Sequence, residues 1–117
     1  MLVEDIRVFI PSKNYQESKG FYQTLGFQMT FESEQVCEFE NGDCSFLLQN
    51  FYHKELANNL MMQLVVGSVE SVHEQLKALT GFDVKFKAPE TVAWGKVLYL
   101  WGPSGELWHI TELNEQE

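Results

Sequence analysis

Apolar and polar positions along the chain fall into two similar runs. Residues 3–10, VEDIRVFI, predict a strand that stops at Pro11. Ser12, Lys13 and Asn14 then supply the cap region of a helix whose apolar stripe holds Tyr15, Phe21, Tyr22 and Leu25, and Gly26 ends it. Residues 27–33, FQMTFES, predict a second strand. Val36–Glu40 and Asp43–Gln49 flank Asn41-Gly42, the two-residue signature of a tight hairpin. That turn sets Phe39 opposite Cys44 and Cys37 opposite Phe46 on an apolar face. Glu38, Ser45, Leu47 and Gln49 fall on the other face, which is too mixed for a core.

A linking segment of about residues 54–60 follows, and the pattern begins again. Met61–Val66 predicts a strand, Ser68 caps a helix with Val69, Val72, Leu76 and Leu79 on one stripe, and Gly81 stops it. The helix ends match each other, "LGFQMTF" in the first run and "TGFDVKF" in the second. Residues 84–89 give a strand and loop, and KVLYLW turns through GPSG into ELWHITEL. Each half thus reads strand, helix, three strands: one module over about 3–53, the other over about 61–113. Neither half buries much core alone, so the two are expected to associate as a single α+β domain over residues 1–117.

Composition narrows the function. The chain has 117 residues, 44% of them apolar and 14% aromatic, which suits a folded domain. No apolar run is long enough to span a bilayer, and MLVEDIRVFI lacks the basic start of a signal peptide, so a cytoplasmic location is expected. Eight Lys and Arg against 17 Asp and Glu give a net charge of −9. Such a surface argues against nucleic-acid and membrane partners and attracts cationic ligands, although solubility alone also accounts for it. Cys37 and Cys44 form no zinc or redox spacing and read as buried small apolar residues. No serine lies in a nucleophile elbow, and GPSG leads into a strand instead of the helix start an anion site requires.

The duplicated unit, with "SKGFYQTLGF" in the first half and "WGKVLYLWGPSGELWHI" in the second, resembles the vicinal oxygen chelate superfamily of glyoxalases, extradiol dioxygenases and bleomycin-resistance proteins. The resemblance covers about residues 3–113. It implies two tandem βαβββ modules curled into a half-open barrel around a cleft. Metal-dependent members carry one ligand on the first and last strand of each module. Here those four positions fall on Arg7, Leu47, Met61 and His109. Only His109 is a good donor, and amides one register away, Gln49 or Gln63, are poor anchors for a catalytic ion. No cofactor is therefore expected, and a divalent metal belongs only to an alternative reading.

The second half is most similar to the metal-free bleomycin-resistance branch. That likeness implies a homodimer that sequesters a cationic, partly aromatic small molecule. Strand alternation predicts the ligand-binding lining: Arg7, Phe9, Glu38, Leu47, Gln49, Met61, Gln63, Leu98 and His109, with Trp94 on a loop over one end. Blander readings stand beside these: Arg7 paired with Glu4 or Asp5, the apolar members as plain packing, and His109 as a satisfied buried histidine. Trp101, Trp108 and Tyr99 are expected on the opposite face as core aromatics. Two other functions remain open. One is a divergent glyoxalase-like lyase or isomerase using His109 and Glu38 as acid–base groups. The other is a non-catalytic structural or regulatory dimer.

Overall fold

A computed structural model describes residues 1–115 and contains two sheets and three helices. The first sheet joins β1 (Phe9–Pro11), β2 (Gln28–Glu32), β3 (Val36–Asn41) and β4 (Cys44–Gln49) in the order β1-β4-β3-β2, with β1 parallel to β4. The second joins β5 (Met61–Val65), β6 (Lys85–Phe86), β8 (Gly95–Trp101) and β9 (Leu107–Leu113) in the order β5-β9-β8-β6, and β7 (Glu90–Val92) pairs with β8. In both, the strand before the helix lies parallel to the module's last strand. The expected α+β fold of two βαβββ-like modules is present, with β7 as an additional short strand in the second.

Local chemistry explains the helix boundaries. α1 (Tyr15–Leu25) starts at Asn14, whose side chain accepts from the Glu17 amide, and ends at Gly26, which adopts a left-handed φ of 113°. α3 (Val69–Lys77) starts at Ser68, whose hydroxyl accepts from the Ser71 amide. It stops at Lys77, short of Gly81. The expected linking segment contains a further helix, α2 (Lys54–Asn59), capped by the His53 ring accepting from the Leu56 amide. Histidine is an uncommon cap, and the segment is too short for a readable apolar period.

Three further expectations change. The predicted strand over 3–10 is paired only from Phe9, apart from the Val8 carbonyl accepting from the Leu47 amide, because no neighbouring strand lies beside residues 3–7. The hairpin turns at Gly42-Asp43, where Gly42 has φ 61°, so Phe39 faces Phe46 and Cys37 faces Leu48. This shift of two residues preserves which side chains share a face, since alternation has period two. It also carries Cys44 to the exposed end of the hairpin, whereas Cys37 is buried as expected.

The covered faces of both sheets converge on one core. Cys37, Phe39, Phe46 and Leu48 from the first sheet and Leu98, Leu100, Trp108 and Ile110 from the second pack with Phe21 and Tyr22 of α1 and Val69 and Leu76 of α3. Tyr22 lies at its centre, with ring centroids 5.0 Å from Phe46 and 6.0 Å from Trp108. Its hydroxyl donates to Glu106 Oε2 at 2.7 Å and accepts from Trp108 Nε1 at 3.0 Å. The Ser104 amide donates to Glu106 Oε1 at 2.8 Å. Burial pushes the Glu106 carboxyl above its ordinary range, and the hydrogen bonds from Tyr22 and Ser104 only partly oppose that.

Two outcomes are expected. Tyr22→Phe leaves a buried acceptor and a buried donor without partners, and should lower the urea-unfolding free energy by about 1–3 kcal/mol. The native state retains the Glu106 proton where the unfolded chain has released it. The stability from this group is therefore full below the unfolded value of about pH 4.3 and is lost as pH rises through the folded value. Glu106→Gln removes the titrating proton while keeping one of the two acceptor oxygens, so its stability, lower at the outset, should fall less steeply than the parent chain's across that window. Equal slopes in paired urea titrations would contradict this.

Candidate functional site

The uncovered faces of the two sheets carry the predicted site residues. On the first, the register places Phe9 beside Leu47 and Leu47 beside Glu38, with Phe31 next across a β-bulge. The following row is Pro11, Gln49 and Val36. Arg7 lies just ahead of β1, and its guanidinium reaches Glu38 at 2.6 Å and Asp5 at 3.2 Å. The surface pairing expected of Arg7 is thus realised with Asp5, and Glu38 is a second partner. Arg7 holds the Asp5 carboxyl below its usual range. Thr30 donates to Glu38 Oε1 at 2.6 Å, so both carboxylate oxygens are occupied.

On the second sheet, one row runs Met61, Leu107, Trp101 and Lys85, and the next runs Gln63, His109 and Tyr99. The Gln63 amide donates to Thr111 Oγ1 at 3.3 Å. The His109 ring meets Tyr99 edge-on at 4.9 Å, and Tyr99 lies 6.4 Å from Trp101. His109 Nε2 is enclosed and has no hydrogen-bond partner. A satisfied core histidine would not be left so, because an unpaired buried nitrogen costs about 1–3 kcal/mol.

This arrangement corrects the expected lining. Leu98 is fully buried in the shared core, on the side opposite His109. Tyr99 and Trp101, expected in the core, belong to the outer face instead. The reason is the hairpin register: His109 pairs with Tyr99, so the odd-numbered residues of β8 share its side. Trp108 is a core residue as expected. Trp94 lies in the turn between β7 and β8, is 56% exposed, and accepts from the Asn114 amide through its carbonyl. Sequence reasoning missed Phe31, Tyr99 and Trp101 as outer-face residues. Counting alternate positions back from His109 across the turn would have found the last two.

The four positions corresponding to metal ligands do not fit a divalent ion. Arg7 is a cation already paired, Leu47 has no donor atom, and Met61 is a soft thioether 63% exposed. The nearest neighbour of His109 on β5 is Gln63, another weak ligand. His109 therefore faces no second strong donor on its own sheet.

The two outer faces do not lie against each other within one chain. Their opposite sides converge on a common core, with Phe46 and Trp108 5.7 Å apart, so the outer faces point away from it. Cavities of about 970, 650 and 180 Å³ are lined by residues other than the ten predicted ones. A radius of gyration of 14.5 Å, against roughly 13 Å for a chain of this length, fits two open shelves. Glu38 and His109, one on each shelf, are not brought together as an acid–base pair. Two substitutions separate outer face from core: Leu98→Ala should cost about 2–5 kcal/mol in urea unfolding, and Met61→Ala within about 0.5 kcal/mol.

Comparison with known proteins places this geometry. Residues 6–110 match the family described as Glyoxalase/Bleomycin resistance protein/Dioxygenase superfamily. No curated protein sequence matches the chain. A bleomycin-binding protein solved with bleomycin is similar at 23% identity and a TM-score of 0.76, over 97% of this chain and 100% of the other. The bleomycin-binding protein of bleomycin-producing Streptomyces verticillus, solved with copper(II)-bleomycin, shares 18% identity at a TM-score of 0.79, over 97% and 100%. Lactoylglutathione lyase from Agrobacterium tumefaciens shares 13% identity at a TM-score of 0.72, over 95% of each chain. At these identities the likeness establishes the fold, and the fold hosts both binding proteins and enzymes.

Proposed function

The chain belongs to the glyoxalase/bleomycin resistance protein/dioxygenase superfamily, and we propose that it is a metal-free small-molecule-binding protein of the sequestration or resistance type. The observation that carries this reading is His109. Its enclosed Nε2 has no partner, and it sits in a row of rings with Tyr99 and Trp101. A ligand that supplied one hydrogen bond to Nε2 and a planar group against the rings would satisfy both features. The donor set at the four family positions supports binding over metal chemistry. The excess of acids over bases favours a ligand with cationic character.

The working unit is a homodimer in this reading. Each chain offers two open shelves, and a second copy would set the first-module shelf against the second-module shelf to close a cleft. The N-terminal segment supports this: Leu2, Val3, Ile6 and Phe9 are 98%, 63%, 86% and 51% exposed. β1 and β5 are both end strands of their sheets, with one edge free among the described residues.

A second reading, a glyoxalase-like lyase or isomerase, draws on the similarity to a lyase fold. Metal analysis and thermal shift with Ni²⁺, Zn²⁺ and Mn²⁺ separate the two. Neither stoichiometric metal nor a shift is expected, and stoichiometric uptake at about micromolar affinity would overturn the binding reading. Light scattering should return twice the 13.6 kDa chain mass. Calorimetry with cationic aromatic compounds should find a binder that His109→Ala weakens by about tenfold, equivalent to one lost hydrogen bond. Complete absence of binding across the panel would favour a purely structural dimer.

A further inference from the structure

The groove of about 970 Å³ holds none of the ten predicted site residues, yet it shares Trp101 with the row of rings. Its lining includes Asn58 of α2, Asp83, Lys85, Lys87, Trp101 and Gly105 of the turn before β9. Its charge runs against that of the chain. Acids outnumber bases 17 to 8 overall, but here two lysines face a single carboxylate, Asp83. Elsewhere Arg7, Lys19 and Lys77 are each paired with a carboxylate. Among the described residues Lys85 and Lys87 form no ion pair, as is also true of Lys13, Lys54 and Lys96, but only Lys85 and Lys87 line this groove together.

Both lysines lie beside the aromatic row. Lys85 stands opposite Trp101 in the β6–β8 register, and Lys87 Nζ lies 5.7 Å from the Trp101 ring centroid. The Lys87 amide also donates to the Tyr99 carbonyl at 3.0 Å, which fixes the chain beside that ring. The turn packs closely against α2 beside the groove, since a Cβ on Gly105 would come within 2.8 Å of Asn58 Oδ1. Gly105 itself has φ 92°, a conformation that favours glycine.

We propose that this groove takes the anionic substituent, a carboxylate or sulfonate, of a planar aromatic ligand whose ring lies on Trp101 and Tyr99. The inference rests on the small-molecule-binding reading and names one feature of the ligand. It is compatible with net negative charge because that field steers from a distance and is screened beyond about 8 Å in physiological salt. At contact, the nearest groups decide, and here those are two ammonium ions. The ligand therefore carries a negative group at this end whatever charge it presents to Glu38.

The test uses two probes with the same ring and opposite charge, naphthalene-2-sulfonate and 2-naphthyltrimethylammonium, titrated calorimetrically into the full chain. The sulfonate should bind more tightly, and its affinity should fall as salt is raised. Lys85→Ala combined with Lys87→Ala should weaken sulfonate binding by about tenfold or more and leave the ammonium probe unchanged. Trp101→Ala should weaken both probes. The lysines are exposed, so a thermal melt that matches the parent chain confirms the double variant folds. Equal sulfonate affinity in parent and double variant, or preference for the ammonium probe, overturns the anionic groove while ligand binding stands. If neither probe binds, the groove proposal fails, whereas the binding reading fails only when the panel of cationic aromatic compounds finds no binder either.

Discussion

The buried contact among Glu106, Tyr22 and Trp108 sets the relation between the two halves of this molecule. Glu106 immediately precedes the last strand of the second module, and Tyr22 belongs to the helix of the first. A carboxyl removed from water must find donors or retain its proton, and here the Tyr22 hydroxyl and the Ser104 amide provide them. The Ser104 hydroxyl in turn accepts from the Lys13 amide at 2.7 Å, next to the cap of α1. Even the turn glycine is constrained by this group, since a Cβ on Gly102 would lie 2.6 Å from the Glu106 carboxyl carbon. The strand that carries His109 is therefore positioned by polar contacts to the other module, while the surrounding rings supply the apolar burial.

That arrangement has a direct consequence for binding. When two sheets share one core, their remaining faces are left to other partners. One shelf carries Phe9, Phe31 and Leu47 around an ion pair of Arg7 and Glu38, and the other carries His109, Tyr99 and Trp101. Both combine apolar surface with a few placed polar groups, the composition of small-molecule sites. Neither is closed in a single chain, so binding and assembly are linked in the proposed function. The row of rings gives way at its edge to two lysines, so the face is also polarised along its length.

Much of the fold was legible because it rests on local, periodic signals. Asn14, Gly26 and Ser68 marked helix ends through their side-chain or backbone chemistry, and the matched "LGFQMTF" and "TGFDVKF" exposed the duplication. The faces of the first hairpin were also readable, although its turn lies at Gly42-Asp43, because a shift of two preserves alternation. In the second module the lining was read at Leu98, the wrong parity relative to His109. That placed one core leucine in the site and two outer aromatics in the core. The helix over 54–59 left too short a pattern to see, and its histidine cap is not a usual start signal.

By itself the sequence determined the duplicated α+β architecture, the core aromatics of α1, and the absence of strong donors at Arg7, Leu47 and Met61. These follow from residue type and period, which need no knowledge of distant contacts. Only the tertiary structure decided that the two faces do not meet within one chain, that His109 Nε2 lacks a partner, and that Lys85 and Lys87 gather beside Trp101. Each of these depends on which residues far apart in sequence become neighbours. That choice is made by the burial of Glu106 against Tyr22 and by the pairing of strands distant in sequence, such as β5 with β9 and β6 with β8, and neither leaves a mark in any short stretch of the chain.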